Sequence, residues 1–426
     1  MLRYIFKRTL NGLLVLLGVV SLVFLIFNLK PGDPARMLAD QRSSAEALDA
    51  IRKDLGLDLP LGTRYLQYLN DLSPVSFHAL AGSTGPFAID LSERSGRELF
   101  TAGNTRVVLK PPYLRRSYQS RREVSEILAE AFPNTAVLAI VAMFFAVLLG
   151  LAMGTVAALR KGTWVDTMLL GVSALGMAGP SFFIAVLVAW VGGFVWYEHI
   201  TIPGLPIFCM GLPLALWLRA RLFGHGADIP GEEHLKRVLL GLVLGLVLFL
   251  IGIGFRIPWL SFTMHLPGTG LPMSGDLVDV DPFTGAFVNW RNLLLPAFTL
   301  GIRPLAIIVQ LTRSSLLEVL SQDHIRTARA KGLSERAVVL RHGLRNALMP
   351  VLTAVSGWFA SLLAGAVFVE FVFGWKGMGL EVFNALERED MPVVMGAVLA
   401  FAVISVLMNM VVDLLYAVLD PRVRTA

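Results

Sequence analysis

The chain has 426 residues, of which 55% are hydrophobic and only 16% charged, with a mean hydropathy of +0.67. A soluble domain carries about 25% charged residues, so this balance excludes an ordinary soluble enzyme and points to an all-α, polytopic helical membrane protein. The net charge of +6 would suit a nucleic-acid binder. The basic residues, however, lie mostly between apolar runs, where membrane topology explains them better, and no nucleic-acid partner is expected. One cysteine, Cys209, cannot form an internal disulfide.

A bilayer core about 30 Å thick takes roughly 20 apolar residues of helix, because an unpaired backbone amide in hydrocarbon costs several kcal/mol. Leu10–Leu29 is the first such run, preceded by Arg3, Lys7 and Arg8. It is too long for a signal peptide and no small-residue cleavage site follows, so it reads as a retained anchor. Further runs cover Thr135–Leu159, Val165–Trp196, Val238–Phe255, Leu293–Leu311, Val351–Phe373 and Val393–Leu419. A weaker one, Ile200–Leu218, contains three prolines and is counted on electrostatic grounds.

With eight spans and the N-terminus inside, Arg160, Lys161, Arg219, Arg221, Lys236, Arg237 and the basic stretch Thr312–Arg345 face the cytoplasm. The outer loops then hold Asp276, Asp279, Asp281, Glu381, Glu387, Glu389 and Asp390. Without Ile200–Leu218 the signs invert, unless the long stretch Val165–Trp196 makes two passes. The organisation that follows is an N-terminal span at 1–30, an outer segment at 31–133, and spans two and three at 134–198. An inserted hairpin at 199–256 comes next, then a second outer loop at 257–292. Residues 293–426 hold the last spans and a cytoplasmic loop at 312–350.

A solute pump needs an energy source, and the usual ones are missing. No Gly-Lys dipeptide occurs, which removes the phosphate-cradling P-loop. Neither HExxH nor GxSxG occurs, and the seven histidines are scattered, so no catalytic residue and no metal site is expected. Carboxylates inside the apolar runs are limited to Asp166, Glu370 and Asp413, each within about two turns of a span end. They read as interfacial or helix-pairing groups, so energy is expected from a partner. Arg303 is the one cation well inside a run, and its sequence context does not separate a path residue from a helix-pairing one. Gly179-Pro180 interrupts the third span, as either a packing kink or a break lining a substrate path.

The richest stretch lies between the last basic residues of the 312–350 loop. Thr312–Arg345 holds seven Arg or Lys against three Asp or Glu. A solvated inside-positive loop is the bland reading. Patterning argues for more: Ile325, Ala328 and Arg329 sit at helical spacing, Gly332 can end that helix as a C-cap, and Ser334 can cap a second helix through Leu340. Small residues at Ala328, Ala330 and Gly332 allow another protein to approach closely, while Arg326, Arg329 and Lys331 can pair with carboxylates around its rim.

This stretch resembles the EAA loop of binding-protein-dependent ABC importer permeases, in the form found in the oligopeptide, dipeptide and nickel subfamily. Arg326, Thr327 and Ala328 stand where EAA is usual, and Gly332 is the motif glycine. The likeness continues through Pro31-Gly32-Asp33-Pro34, Leu55-Gly56-Leu57-Asp58, Leu311-Thr312-Arg313-Ser314-Ser315-Leu316, Glu370-Phe-Val-Phe-Gly-Trp-Lys-Gly-Met-Gly379 and Asp413-Leu-Leu-Tyr-Ala-Val-Leu-Asp-Pro-Arg422. Lys376 stands where the subfamily usually has proline, and the chain is longer than a usual member.

The resemblance implies a type I ABC importer permease core of six spans, here with an extra two-helix insertion. It implies a multi-pass protein of the bacterial inner membrane with both termini cytoplasmic and the outer segments periplasmic. The expected partners are a second permease subunit, two ABC ATPase subunits, a periplasmic substrate-binding protein and membrane lipid. No cofactor is expected on this chain, with ATP bound by the ATPase subunits. The lever that docks on the ATPase is expected at Ile325–Glu335, including Leu333 and Glu335, and the cargo is expected to be a di- or oligopeptide or a related small solute. An ion-coupled secondary transporter is the alternative, and an intramembrane enzyme a third class; the first would show midspan carboxylates and internal repeats, the second a catalytic pair.

Overall fold

The computed structural model describes residues 2–29, 45–54, 57–79, 97–102, 105–211, 213, 231–258, 260–283 and 285–419. The Pro31-Gly32-Asp33-Pro34 motif, Leu55-Gly56 and the terminal Asp420-Pro421-Arg422 lie outside them, as does the side chain of Asp413. Among the described residues, six helices are long and apolar enough to cross a membrane. They belong to α1 (Leu2–Leu29), α4 (Val124–Leu159), α7 (Gly231–Gly254), α8 (Trp290–Leu320), the stretch Glu335–Leu363, and α13 (Met391–Leu419).

Three expected spans differ in form. Val165–Trp196 is not one rod: α5 (Trp164–Ala178) and α6 (Ser181–Val188), the latter continuing as a π-helix over Ala189–Val195, meet at 110° across Gly179-Pro180. Proline has no N–H to continue the ladder and its ring disfavours helix in the residue before it. Counted as one broken span that pair gives seven, and counted as a re-entrant loop it leaves six, in neither case eight. Val351–Phe373 is likewise divided, into α10 (Arg345–Gly365) and α11 (Val367–Phe373).

The eighth expected span, Ile200–Leu218, begins as a strand. β4 (His199–Pro203) pairs antiparallel with the later strand Thr263–Pro267, Thr201 facing His265. Alternating β-branched Ile200, Thr201 and Ile202 suit a pleated ribbon, and mean hydropathy cannot distinguish that from helix. Helical turns follow at 204–211, and residues 214–218 lie outside the described set. The turns lie against α7: a Cβ on Gly241 would come within 2.5 Å of the Cys209 carbonyl, and one on Gly245 within 2.5 Å of Pro206 Cα.

α8 is the central rod, with 67% of its apolar window buried inside the chain. It lies along α4 at backbone contact. A Cβ on Gly154 would fall 2.8 Å from the Val309 carbonyl, one on Gly150 2.7 Å from Ile308 Cγ2, and one on Gly301 2.7 Å from the Ala142 carbonyl. Gly150 and Gly154 form a GxxxG pair, which in a membrane allows the close van der Waals packing that replaces the hydrophobic drive. The main core fills the angle these two make with α10 and α11, around Leu138, Ala142, Leu293, Ala297, Leu362, Phe373 and Trp375.

The segment between α1 and α4 forms a small subdomain. α2 (Ala45–Asp54) and α3 (Leu61–Leu72) precede a three-stranded antiparallel sheet of β1 (Val75–Ala79), β2 (Arg97–Ala102) and β3 (Thr105–Leu109), with β3 in the middle. Tyr65 and Tyr68 of α3 pack on Phe24 of α1, and Arg115 lies 5.5 Å over the Tyr68 ring. Burial pushes the Tyr68 hydroxyl up to about 12, with Arg115 pulling the other way. The basic stretch Arg115–Arg122 is tied down by Asp390, which accepts from the Ser117 hydroxyl and, at 3.0 Å, from the Tyr118 N–H. A second ribbon lies before α8, where β5 is Thr263–Pro267, and β6 (Val278–Asp281) and β7 (Gly285–Val288) form a hairpin.

Candidate coupling loop and helix break

The basic loop folds as a helix locked to the body of the protein on one side only. α9 (Asp323–Ala330) buries Ile325 and Ala328 in a cluster with Ala158, Leu316, Val319, Val338, Val339 and Ala347. Those two residues are anchors, so Ala328 does not face an incoming protein. Arg326, Arg329, Ala330, Lys331, Gly332, Leu333 and Glu335 are exposed. Leu333 and Leu340 are exposed apolar side chains, 42% and 63% accessible, on the same loop.

The helix ends one residue earlier than its spacing suggests. Lys331 is the C-cap, and Gly332 follows it at φ +76°. The Gly332 N–H donates to the Arg329 carbonyl at 2.9 Å and the Leu333 N–H to that of Ala328 at 3.4 Å, which is the paired pattern of a Schellman ending. A left-handed residue costs a side chain roughly 1–2 kcal/mol, and glycine avoids that cost. Among the described residues, its two chain neighbours aside, no heavy atom lies within 4 Å of where a Cβ would sit, so the space beside Gly332 is open.

Ser334 caps the next turn, accepting from the Ala337 N–H at 3.4 Å. The second helix is not the short separate one that the spacing predicts. Glu335–Ala337 passes into a π-helix over Val338–Leu344 and directly into α10. Arg329 is not a free rim charge either: its Nε and Nη2 donate to Glu335 at 2.8 and 3.2 Å, across the turn. Arg326 donates to Asp323 at 3.3 Å, one turn back. Both pairs are exposed and contribute little stability, but they set the charge pattern the loop presents.

The preceding helix is braced from the third span. Asp166, in the first turn of α5, accepts from Arg313 Nε at 2.6 Å and Nη2 at 2.7 Å, and from the Gly162 N–H at 2.9 Å. Its side chain is 5% exposed and that of Arg313 is 23%. Asp166 is therefore a helix-pairing carboxylate, and its partner Arg313 belongs to the Leu311–Leu316 motif. Asp166→Asn and Arg313→Gln are each expected to lower the unfolding midpoint, with a coupling of about 1–3 kcal/mol in a double-mutant cycle on the purified protein. Additive effects would show that the pair is not a brace.

Gly179 and Pro180, the expected break, sit where α5 meets α6. Arg303, near the middle of α8, reaches the same point and donates from Nη2 to the Gly179 carbonyl at 3.2 Å. Sequence reasoning singled out both features without joining them, because 124 positions separate them. The scattered histidines also include one pair that meets in space: the His199 and His265 rings lie 5.6 Å apart on the β4–β5 ribbon.

Glu370 explains the Glu370–Gly379 motif. The side chain is fully buried in α11; its Oε1 accepts from the Thr135 hydroxyl at 2.8 Å, and its Oε2 accepts from the N–H groups of Gly379 at 2.7 Å and Leu380 at 3.1 Å. It is thus an N-terminal anchor for α12 (Met378–Glu387). Trp375 Nε1 donates to the Asn134 carbonyl at 3.0 Å. Lys376, standing where the subfamily usually has proline, points an exposed side chain 3.5 Å from Asp276.

Comparison with known proteins matches this architecture. Residues 146–425 match the family described as binding-protein-dependent transport system inner membrane component, and residues 1–82 match its N-terminal component. Similar relatives include the glutathione transport system permease protein GsiC of Salmonella paratyphi A, 31% identical over 424 residues, covering 100% of this chain and 99% of the relative. The proteins of the same name from Salmonella typhimurium, at 31% over 424 residues, and Escherichia coli K12, at 30% over 425 residues, have the same coverage of both chains.

Proposed function

This chain belongs to the family of binding-protein-dependent transport system inner membrane components and is a permease subunit of an ABC importer, and from that premise we propose that it moves di- or oligopeptides, or a related small solute such as a glutathione-like tripeptide. It is a multi-pass inner-membrane transport subunit, not an enzyme, and works with ATPase and substrate-binding components. In the proposed assembly it pairs with a second permease subunit, two ATPase subunits bind and hydrolyse the ATP, and a periplasmic binding protein delivers the cargo. The basic loop and both termini lie in the cytoplasm, which takes an even number of crossings, so in this reading the bent pair α5–α6 enters and leaves the membrane on one side and six helices cross it.

The observation that carries this reading is the one-sided anchoring of α9. Ile325 and Ala328 fix it to α8 and α10, while the Arg326–Glu335 surface and Leu333 stand clear. A helix held so can transmit a push. When ATP draws the two ATPase subunits together, α9 moves with its socket, and α8 and α10 carry the displacement into the spans. The Arg313–Asp166 pair passes it on to α5. The relatives' printed name, a glutathione transport permease, supports a peptide-like cargo. No observation favours ion coupling: among the described residues, Glu370 and Asp166 are structural carboxylates fully engaged within the chain.

The test is reconstitution of the permease pair, ATPases and binding protein in vesicles, with radiolabelled dipeptide, tripeptide and glutathione supplied outside. ATP-dependent accumulation of at least one is expected. Accumulation by this chain without ATPase subunits, driven by a proton or sodium gradient, would overturn the assignment.

A further inference from the structure

Arg303 lies thirteen residues into α8, roughly 20 Å along the helix axis from Trp290. Its Nη2 holds the Gly179 carbonyl, and its Nε is buried with no acceptor among the described residues. No carboxylate pairs with it among those residues. A cation inside a span is costly and is retained where it meets water, a partner group or a ligand. The same face of α8 carries Gln310, seven positions on, exposed and still inside the expected span Leu293–Leu311. A face turned to lipid would be expected to carry apolar side chains there. Opposite Arg303 is the α5–α6 break, the kind of interrupted span whose freed backbone groups line cavities.

We propose that Arg303, oriented by the Gly179 carbonyl, lines the translocation path and pairs with a carboxylate of the cargo in transit. The guanidinium is a fork of donors matched to a carboxylate, and with Nη2 on the carbonyl and Nε buried, Nη1 has no acceptor among the described residues. Every peptide with a free C-terminus brings such a group, so the inference rests on the peptide reading above.

The experiment compares uptake of one dipeptide with uptake of its C-terminal amide, by the complete importer in vesicles, for the wild type, Arg303→Gln and Arg303→Lys. The same binding protein serves all three, so its own preference cancels between them. Arg303→Gln is expected to shrink the acid-to-amide uptake ratio by about tenfold or more, as loss of one charged hydrogen bond does, and Arg303→Lys to keep most of it. An unchanged ratio in Arg303→Gln overturns the proposal, because the residue is then a structural cap on the break. Failure of Arg303→Gln to assemble with the second permease also overturns it, assigning the charge to the subunit contact. If the wild type imports neither peptide, the peptide reading falls alone, and non-peptide carboxylates with their amides put the same question to Arg303.

Discussion

Replacing Gly332 with tryptophan is expected to abolish uptake and capture of the ATPase subunits while the chain still inserts in the membrane. Two effects combine at this position. The backbone sits at φ +76°, so any side chain adds strain to the end of α9. Among the described residues, its chain neighbours aside, nothing lies within 4 Å of a Cβ there, so a side chain leaves the turn into open space. Gly332→Ala and Gly332→Asn separate the two. Alanine reports the strain, about 1–2 kcal/mol, and asparagine, which tolerates the left-handed region, relieves part of it. Tryptophan adds obstruction of the docking face. Copurification on a tagged ATPase and ATP-dependent uptake are the readouts, with membrane extraction confirming insertion. Full uptake by the tryptophan variant would remove Gly332, and α9 with it, from the docking surface.

Truncating Glu370 is expected to have the largest effect on stability. In Glu370→Ala the buried N–H of Gly379, the part-buried N–H of Leu380 and the buried Thr135 hydroxyl lose their acceptor together. Leaving such groups unsatisfied costs about 3–5 kcal/mol in total, enough to shift the unfolding midpoint of the purified protein by several degrees. Glu370→Gln keeps the shape and one acceptor and is expected to lose less. The space is already full: a Cβ on Gly377 would meet Glu370 Oε2 and the Thr135 hydroxyl, and one on Gly379 would fall 2.6 Å from the Val367 Cα and 2.9 Å from Glu370 Oε2. A Glu370→Ala protein as stable as the wild type would show that α12 is positioned by apolar packing, with the carboxylate incidental.

Both variants touch motifs that stand out in the sequence, but for different physical reasons. The helix, glycine turn and serine cap of the coupling loop follow from neighbours within a few positions, so spacing and residue type suffice to place α9 and its turn. Spacing also put Ala328 on the docking face and Arg329 on its rim, open to another protein's carboxylates. Burial against Ala158 and Ala347 and the pairing with Glu335 reverse those roles, because one depends on packing and the other on the path of the turn. The strand at His199–Pro203 was lost to hydropathy, since its partner lies more than sixty positions away.

The amino-acid order alone determined that this is a helical membrane protein, where most of its spans run, and that one basic loop carries a helix closed by a glycine turn and followed by a serine cap. Those properties arise from hydrophobic transfer and local hydrogen bonding, which act between near neighbours. Tertiary structure alone decided that Asp166 braces Arg313, that Glu370 anchors the turn after α11, and that Arg303 meets the break at Gly179. Asp166 and Arg303 reach across spans, 147 and 124 positions from their partners; Glu370 accepts from Gly379 nine positions on and from Thr135 at 235, and a buried polar group is assigned its partner by where the packed helices bring it.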